Sequence, residues 1–212
     1  MIMELPIQIV LASKSPRRVD LLTQLLDHEF GEGAVAFAID PPNIDESPLA
    51  NETPIAHVQR LAVAKSRAVA ARYNDAAVII AADTTVDLDG KIFGQPTDEH
   101  DARAMLNELS GRTHRVHTAV AVVHLAADGT ILSQAHGLDS AGVSMAEITP
   151  EKMEWYLATG ESMGKAGSYA VQGDGGALVA RVEGSLTTVI GLPLDILSDL
   201  LVQVDCGWKN EA

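Results

Sequence analysis

Hydroxyl and guanidinium groups are concentrated in the segment 13–18, which reads Ser-Lys-Ser-Pro-Arg-Arg. The segment follows a short apolar run and precedes apolar residues at helical spacing, so we expect a strand to pass into a helix N-terminus here. Free backbone N–H groups and the helix dipole favour a bound phosphate at such a point, and arginine can grip phosphate oxygens with two N–H groups. The segment therefore predicts an anion site; the alternative is a surface helix start with solvated arginines.

Side chains that could complete a phosphate site recur farther along the chain. Asp83 and Thr84 directly follow the apolar run 78–82, and open α/β sheets place ligand contacts where such a strand ends. Asp45 and Glu46 offer two hard oxygen ligands of the kind that Mg²⁺ and Mn²⁺ prefer. Lys65 stands midway along a helical pattern, where it could face solvent or a phosphate.

Each of these residues has an ordinary alternative as a turn aspartate, a solvated loop acid or a solvated lysine. Together with Arg17 and Arg18 they supply cations for a polyphosphate, acids for a metal and a base for water. This combination predicts the hydrolysis of a phosphoanhydride bond.

Several shorter motifs fail on their context. Residues 160–164 match G-x-S-x-G, but they follow a predicted helix, whereas a nucleophile elbow follows a strand and opens a helix. The same stretch lacks the spacing and the Ser or Thr of a P-loop. Residues 173–176 lack the third glycine of a dinucleotide fingerprint, so we expect a tight turn there. His114 and His117 lie three residues apart on a predicted strand and point to opposite faces, which argues against a metal pair.

Apolar periodicity and turn residues predict the elements that position these groups. Helices are expected from residue 16 onward and over 53–73, 97–111, 149–160 and 194–204. Strands are expected over 7–11 and 78–82, with Asp83 to Thr85 at the strand end, and a hairpin is expected to join 113–125 to 131–143. Because helices alternate with strands before a central hairpin, we expect an α/β fold with a mixed twisted sheet flanked by helices.

Composition narrows the class of protein. The 212 residues are 47% hydrophobic and carry a net charge of -14, which disfavours nucleic-acid binding, and no apolar run approaches the length that spans a membrane. A single cysteine, Cys206, excludes an internal disulfide, and the N-terminus lacks the basic start of a signal peptide. We therefore expect a cytoplasmic protein, and without a repeat or linker we expect residues 1–212 to form one domain.

An ordered series of short segments resembles the Maf family of nucleoside triphosphate pyrophosphatases. The series spans nearly the whole chain, which makes it far more specific than any single motif above. It consists of Leu11 to Arg18, Asp20 to Leu22, Glu52 to Pro54, Arg60 to Ala62 with Lys65, Ala82 to Thr84 with Gly90, Gly94 to Pro96, Leu109 to Gly111 with Thr113, Gly164 to Gly167 with Tyr169, Gln172 with Gly173, and Gly191 to Pro193.

The resemblance implies an elongated, two-lobed, ITPase-like (Maf/Ham1-like) architecture with a central cleft, in a homodimer. It implies an enzyme that cleaves nucleoside triphosphates between the α and β phosphates with a divalent cation, Mg²⁺ or Mn²⁺. Asp83 matches the family's proton acceptor, and Glu46 matches an acidic position near the metal. Four further residues match positions that hold the phosphates: Ser13, Arg17, Arg18 and Lys65.

Substrate choice within the family is implied by three positions. The group similar to dTTP/UTP pyrophosphatases carries the residues found here as Arg17, Thr84 and Gln172, whereas the 7-methyl-GTP group differs at all three. We therefore expect pyrimidine triphosphates as substrates, and we place Lys165 and Gln95 among the binding residues. The family often has lysine where this chain has Gln95. The alternatives are a 7-methyl-GTP pyrophosphatase and a nucleotide-binding regulator of septum formation with little turnover.

Overall fold

A single mixed sheet of seven strands forms the centre of the computed structural model, which describes residues 7–208. The strands are β1 (Gln8–Leu11), β2 (Phe37–Ile39), β3 (Ala77–Leu88), β4 (Lys91–Phe93), β5 (Thr113–Leu125), β6 (Ile131–Met145) and β7 (Val179–Glu183). Their order is β2-β1-β3-β5-β6-β7, with β4 paired to β3. β1 lies parallel to β2 and β3, and the remaining pairs are antiparallel.

Strand β3 corrects the sequence prediction that Asp83 to Thr85 stand at a strand end. The strand continues to Leu88 because β5 pairs with it along its length, from Ala77 to Asp87. On the other edge of β3, the pairing with β1 stops at Ile80 and the pairing with β4 begins at Val86. The stretch between them, residues 81–85, therefore has a partner strand on one side only, and Asp83 lies in the middle of this gap.

Six α-helices of the described chain, residues 7–208, surround the sheet, and their capping residues explain most of the predicted starts. They are α1 (Pro16–Phe30), α2 (Pro54–Ala70), α3 (Glu99–Leu109), α4 (Pro150–Ala158), α5 (Leu186–Ile190) and α6 (Leu194–Gln203). Thr53 and Asp98 accept hydrogen bonds from Ala56 N at 3.2 Å and Asp101 N at 2.8 Å. Such caps satisfy backbone donors that the first turn leaves free.

Two local predictions need correction. The second helix ends at Ala70, before the predicted end near Tyr73. Residues 173–176 do not form an isolated tight turn, because they open a 3₁₀ helix over Gly173–Leu178. The Glu161 carboxylate accepts a hydrogen bond from Gly175 N at 2.7 Å, which helps to fix this helix.

The core is divided between the two ends of the long strands. At one end, α1 and α6 pack on one face of β1, β3 and β5, and α2 packs on the opposite face. At the other end, α3 and α4 enclose a separate cluster around Phe93, Leu106 and Tyr156. This arrangement confirms the predicted α/β class, with a mixed sheet flanked by helices and a cleft between two lobes. Within residues 7–208, the helices are too short or too polar to cross a membrane.

Candidate active site

A cavity of about 630 Å³ opens where the two lobes meet. All ten residues selected from the sequence line it, although they come from positions spread over 160 residues of chain. They are Ser13, Arg17, Arg18, Glu46, Lys65, Asp83, Thr84, Gln95, Lys165 and Gln172. The fold therefore brings together every residue that the family resemblance selects.

Lys65 lies between two carboxylates at the floor of the cavity. Its Nζ donates hydrogen bonds to Asp83 Oδ1 and to Glu46 Oε2, each at 2.6 Å. Helix α2 supplies Lys65 and strand β3 supplies Asp83, both of them buried, whereas Glu46 comes from the irregular segment 40–53 and is exposed. Of the two orientations that the sequence allows for Lys65, the structure has the one in which the side chain faces the cavity and not the bulk solvent.

The environment of Asp83 favours a carboxyl group that can accept a proton. Burial raises the pKa of Asp83, while the charges of Lys65 and Arg18 oppose this rise. A carboxylate in such surroundings is a stronger base than a solvated aspartate, because its charged form has lost hydration. The site therefore pairs a buried carboxyl group with cations that favour its ionised form.

Arg18 is held by three oxygen atoms. Its Nε donates to Gly191 O at 2.8 Å, Nη2 donates to Thr84 Oγ1 at 3.1 Å, and Nη1 donates to Ser13 Oγ at 3.4 Å. A guanidinium has five N–H groups, so one N–H on each terminal nitrogen is left for an anion in the cavity. This geometry is suited to a bidentate grip on phosphate.

Ser13, and not Ser15, accepts the side-chain hydrogen bonds at the start of α1. Ser15 occupies the position before α1, but its side chain makes no capping hydrogen bond. Instead, Ser13 Oγ accepts hydrogen bonds from Ser15 N at 3.1 Å and from Arg18. Because both of these bonds use the Ser13 oxygen as acceptor, its proton is available to a ligand.

Arg17 and Lys165 form a second group of cations that line the cavity. Burial lowers the pKa of Arg17 and of Lys165, and the nearby Glu161 opposes both shifts. Lys165 Nζ also donates to the carbonyl oxygen of Glu161. The cavity lining thus carries four cationic side chains, Arg17, Arg18, Lys65 and Lys165, which suits an anionic ligand.

The segment that carries Glu46 is anchored by an ion pair that sequence reasoning did not use. Arg60 Nε and Nη2 donate to the two oxygens of Glu52 at 2.5 and 2.8 Å, and Nη2 reaches Ser47 O at 3.1 Å. These bonds hold the pKa of Glu52 well below its usual range. His57, which lines the cavity, contacts Glu52 at 2.9 Å. Glu52 and Arg60 appear in the sequence resemblance, but their contact depends on the fold.

Asp45 is separated from the site, contrary to its pairing with Glu46 in the sequence analysis. It does not line the cavity, and its Oδ1 accepts a hydrogen bond from Ser47 N at 2.9 Å. That hydrogen bonding lowers the pKa of Asp45. Over residues 7–208, no group of three or more His, Cys, Asp or Glu side chains is arranged to hold a metal ion.

Gln95 and Gln172 are exposed residues on the cavity rim. Many members of the family have lysine at the position of Gln95, and Lys91 does not take over that role here, because its Nζ contacts the Glu108 carboxylate at 2.6 and 2.8 Å on the protein surface.

Replacing Gln95 with lysine is therefore expected to lower KM for dTTP by about threefold to tenfold, the effect of one additional cation–phosphate contact. Steady-state kinetics at low and high salt check this, with Gln203→Lys, at an exposed position on helix α6, as an equally charged control. An unchanged KM would contradict the prediction.

His114 supports the wall of the cavity from within the core. Its Nε2 lies 2.6 Å from the hydroxyl of Tyr169, a residue that lines the cavity, and burial lowers the pKa of His114 to about 4. The unfolded chain takes up a proton here near pH 6.5, whereas the folded chain does not. The free energy of unfolding is therefore highest, as far as His114 is concerned, above pH 6.5, and it decreases as the pH falls from 6.5 towards 4.

We expect acidification from pH 7 to pH 4 to reduce the free energy of unfolding of the parent protein by up to about 3 kcal/mol more than that of His114→Gln. The glutamine amide can still bond to Tyr169 but does not titrate. Urea unfolding at several pH values measures the difference, and parallel pH dependences of the two proteins would show that His114 is not responsible.

Comparison with known proteins gives consistent matches over most of the chain. A family model described as Maf-like protein matches residues 8–204. A dTTP/UTP pyrophosphatase of Shewanella denitrificans is 46% identical over 87% of this chain and 90% of its own length. Another, from Anaeromyxobacter sp., is 43% identical over 92% of this chain and 88% of its own. A solved structure of a HAM1 protein from Coxiella burnetii has 16% identity and a TM-score of 0.49, covering 93% of this chain and 99% of that one.

Proposed function

The chain belongs to the Maf-like family, and on this basis we propose that it is a nucleoside triphosphate pyrophosphatase acting on dTTP and UTP. The observation that carries the proposal is the buried Asp83 carboxylate, held by Lys65 in a cavity that Arg17 and Arg18 also line. The relatives' names supply the substrate. Arg17, Thr84 and Gln172, the residues typical of the pyrimidine group, all line this cavity.

The proposed reaction needs a base and a positively charged cradle. A water oxygen bonds to phosphorus, the bond from that phosphorus to the α–β bridging oxygen breaks, and the water proton passes to Asp83. The products are a nucleoside monophosphate and pyrophosphate. Negative charge grows on the phosphate oxygens during this step, and the free N–H groups of Arg18, with Ser13 and Arg17, stabilise it.

A divalent cation fits the donor set. One carboxylate oxygen of Glu46 and one of Asp83 each lie 2.6 Å from Lys65 Nζ. The two oxygens are therefore neighbours, separated by at most twice that distance. Mg²⁺ is commonly bound by one or two carboxylates together with substrate phosphates, so a larger protein cage is not required. When bound, Mg²⁺ or Mn²⁺ supplies charge that neutralises the phosphate oxygens. Glu46 and Asp83 are the residues that we propose to hold it.

We place the enzyme in the cytoplasm as a homodimer with a nucleotide substrate and with neither nucleic acid nor membrane as partner. The support for this placement is the family resemblance, the net charge of -14 and the single cysteine.

The test is to incubate the purified protein with canonical and modified nucleoside triphosphates and Mg²⁺ or Mn²⁺, and to assay pyrophosphate and orthophosphate separately. We expect pyrophosphate to be released from dTTP and UTP in preference to purine nucleotides. Release from 7-methyl-GTP instead would overturn the substrate assignment. Tight binding without turnover would favour the nucleotide-binding regulator, for which the glutamine at position 95 is the one supporting feature.

A further inference from the structure

A row of polar side chains crosses three neighbouring strands beside the active site. Thr84 on β3 lies opposite Thr118 on β5, and Thr118 lies opposite Asp139 on β6. Side chains of directly paired residues project from the same face of a sheet. Helix α5 lies against this row through Thr188, and both Thr118 and Thr188 are fully buried.

The hydrogen bonds along the row have a fixed direction. Thr118 Oγ1 donates its one proton to Thr188 O at 2.8 Å. The bond of 3.0 Å between the hydroxyls of Thr118 and Thr84 must therefore be donated by Thr84. The oxygen of Thr84 is then turned to accept from Arg18 Nη2 at 3.1 Å. At the far end, Thr188 Oγ1 donates to the Asp139 carboxylate.

Helix α5 closes this network on its other side. Gly191, the residue after the helix, accepts the hydrogen bond of Arg18 Nε, so both edges of the guanidinium are held. Gly191 has φ of +123°, and a Cβ atom there would lie 3.2 Å from Thr84 Oγ1 and 3.5 Å from Arg18 Nε. A side chain at this position would be strained by the positive φ and would crowd Thr84 Oγ1, whereas it would meet Arg18 Nε at an ordinary contact distance.

We infer that Thr118 is a positioning residue for the pyrophosphatase reaction, acting through Thr84 on Arg18. Thr118 does not line the cavity, so it cannot touch the substrate. It fixes the Thr84 proton, and Thr84 in turn fixes the plane of the guanidinium, so that the two free N–H groups of Arg18 face the phosphates. The inference rests on the proposed role of Arg18 as a phosphate ligand.

The experiment compares Thr118→Val and Thr118→Ser with the parent enzyme. With the valine, kcat/KM for dTTP is expected to fall about tenfold, and the dissociation constant of pyrophosphate is expected to rise by a similar factor, the worth of one hydrogen bond to a charged group. The serine, which keeps the hydroxyl, restores both values to within about threefold. Thr113→Val is the matched control, because Thr113 lies on the same strand and its hydroxyl pairs with Ser144 Oγ away from the cavity.

A double-mutant cycle separates positioning from a general loss of stability. In an Arg18→Gln background, Thr118→Val should change pyrophosphate affinity by less than about twofold, because the group through which it acts is gone. Thermal unfolding of the single and double variants checks that each one is folded under the assay conditions. A full tenfold loss in the Arg18→Gln background, or failure of the serine to rescue, would overturn the inference.

Calorimetric titration with pyrophosphate does not depend on turnover. If the parent protein binds pyrophosphate but does not hydrolyse dTTP, the proposed function fails, and the Thr118 series still tests the positioning of Arg18. If the parent hydrolyses dTTP and Thr118→Val matches it in both measurements, the inference alone is wrong.

Discussion

Asp83→Asn is expected to lose between about 100-fold and 10,000-fold in kcat for dTTP, the range that general-base catalysis contributes. Asparagine keeps the shape of the side chain and an oxygen for Lys65 Nζ, but it cannot accept the proton of the attacking water. The fold should survive, because burial already penalises the charged form of Asp83 and the amide is neutral. Steady-state kinetics and thermal unfolding of the purified variant check both expectations.

The matched control is Asp45→Asn, which makes the same change beside Glu46 but outside the cavity. Its amide oxygen can still accept from Ser47 N, so turnover should stay within about twofold of the parent. Turnover by Asp83→Asn at the rate of Asp45→Asn would show that Asp83 is not the base.

Lys65→Met should reduce kcat by about 100-fold, comparable to the loss of one donor that stabilises charge in the transition state. It should also move the acid limb of the pH–rate profile to higher pH. Lys65 is the first of the charged groups that lower the pKa of Asp83, so its removal lets burial raise that pKa further. Because only the ionised carboxylate accepts the water proton, activity disappears as the pH falls through this pKa. The profile of kcat/KM against pH measures the shift.

Lys165→Met is the matched control. It also removes one positive charge from the cavity, but Lys165 donates to the carbonyl oxygen of Glu161 and not to Asp83. It should raise KM, through the loss of a cation, while the acid limb stays in place. If both methionine variants move the acid limb equally, the effect is that of overall charge and the specific Lys65–Asp83 contact is not responsible.

The long elements were predictable because their patterns are strong. Helix α1 begins at Pro16, and the hairpin joins Thr113–Leu125 to a strand that begins at Ile131, as expected. Strands β2, β4 and β7 have three to five residues each, too few for a periodic pattern to appear, and they form because longer neighbours offer hydrogen-bonding edges. Strand β3 was predicted too short, because aspartate and threonine after an apolar run resemble a strand end when the partner β5 is unknown.

The site was predictable as a set of residues but not as a set of contacts. The resemblance selected ten residues that share one cavity. The contact between Arg18 and Gly191 joins positions 173 residues apart, and the roles of Thr118 and of the Glu52–Arg60 pair depend on strand register and loop path. Side-chain chemistry can be read from a sequence, whereas these three-dimensional pairings require the fold.

The gap in the pairing of β3 gives this protein an internal edge. An exposed strand edge invites another chain to add a strand, which leads to aggregation. Here β1 and β4 occupy the same edge of β3 on either side of residues 81–85, so an incoming strand would collide with them, and Asp83 to Thr85 within this stretch line the cavity. Backbone groups that would be a liability at the rim of the sheet are thus enclosed where a small molecule can reach them and a second polypeptide cannot.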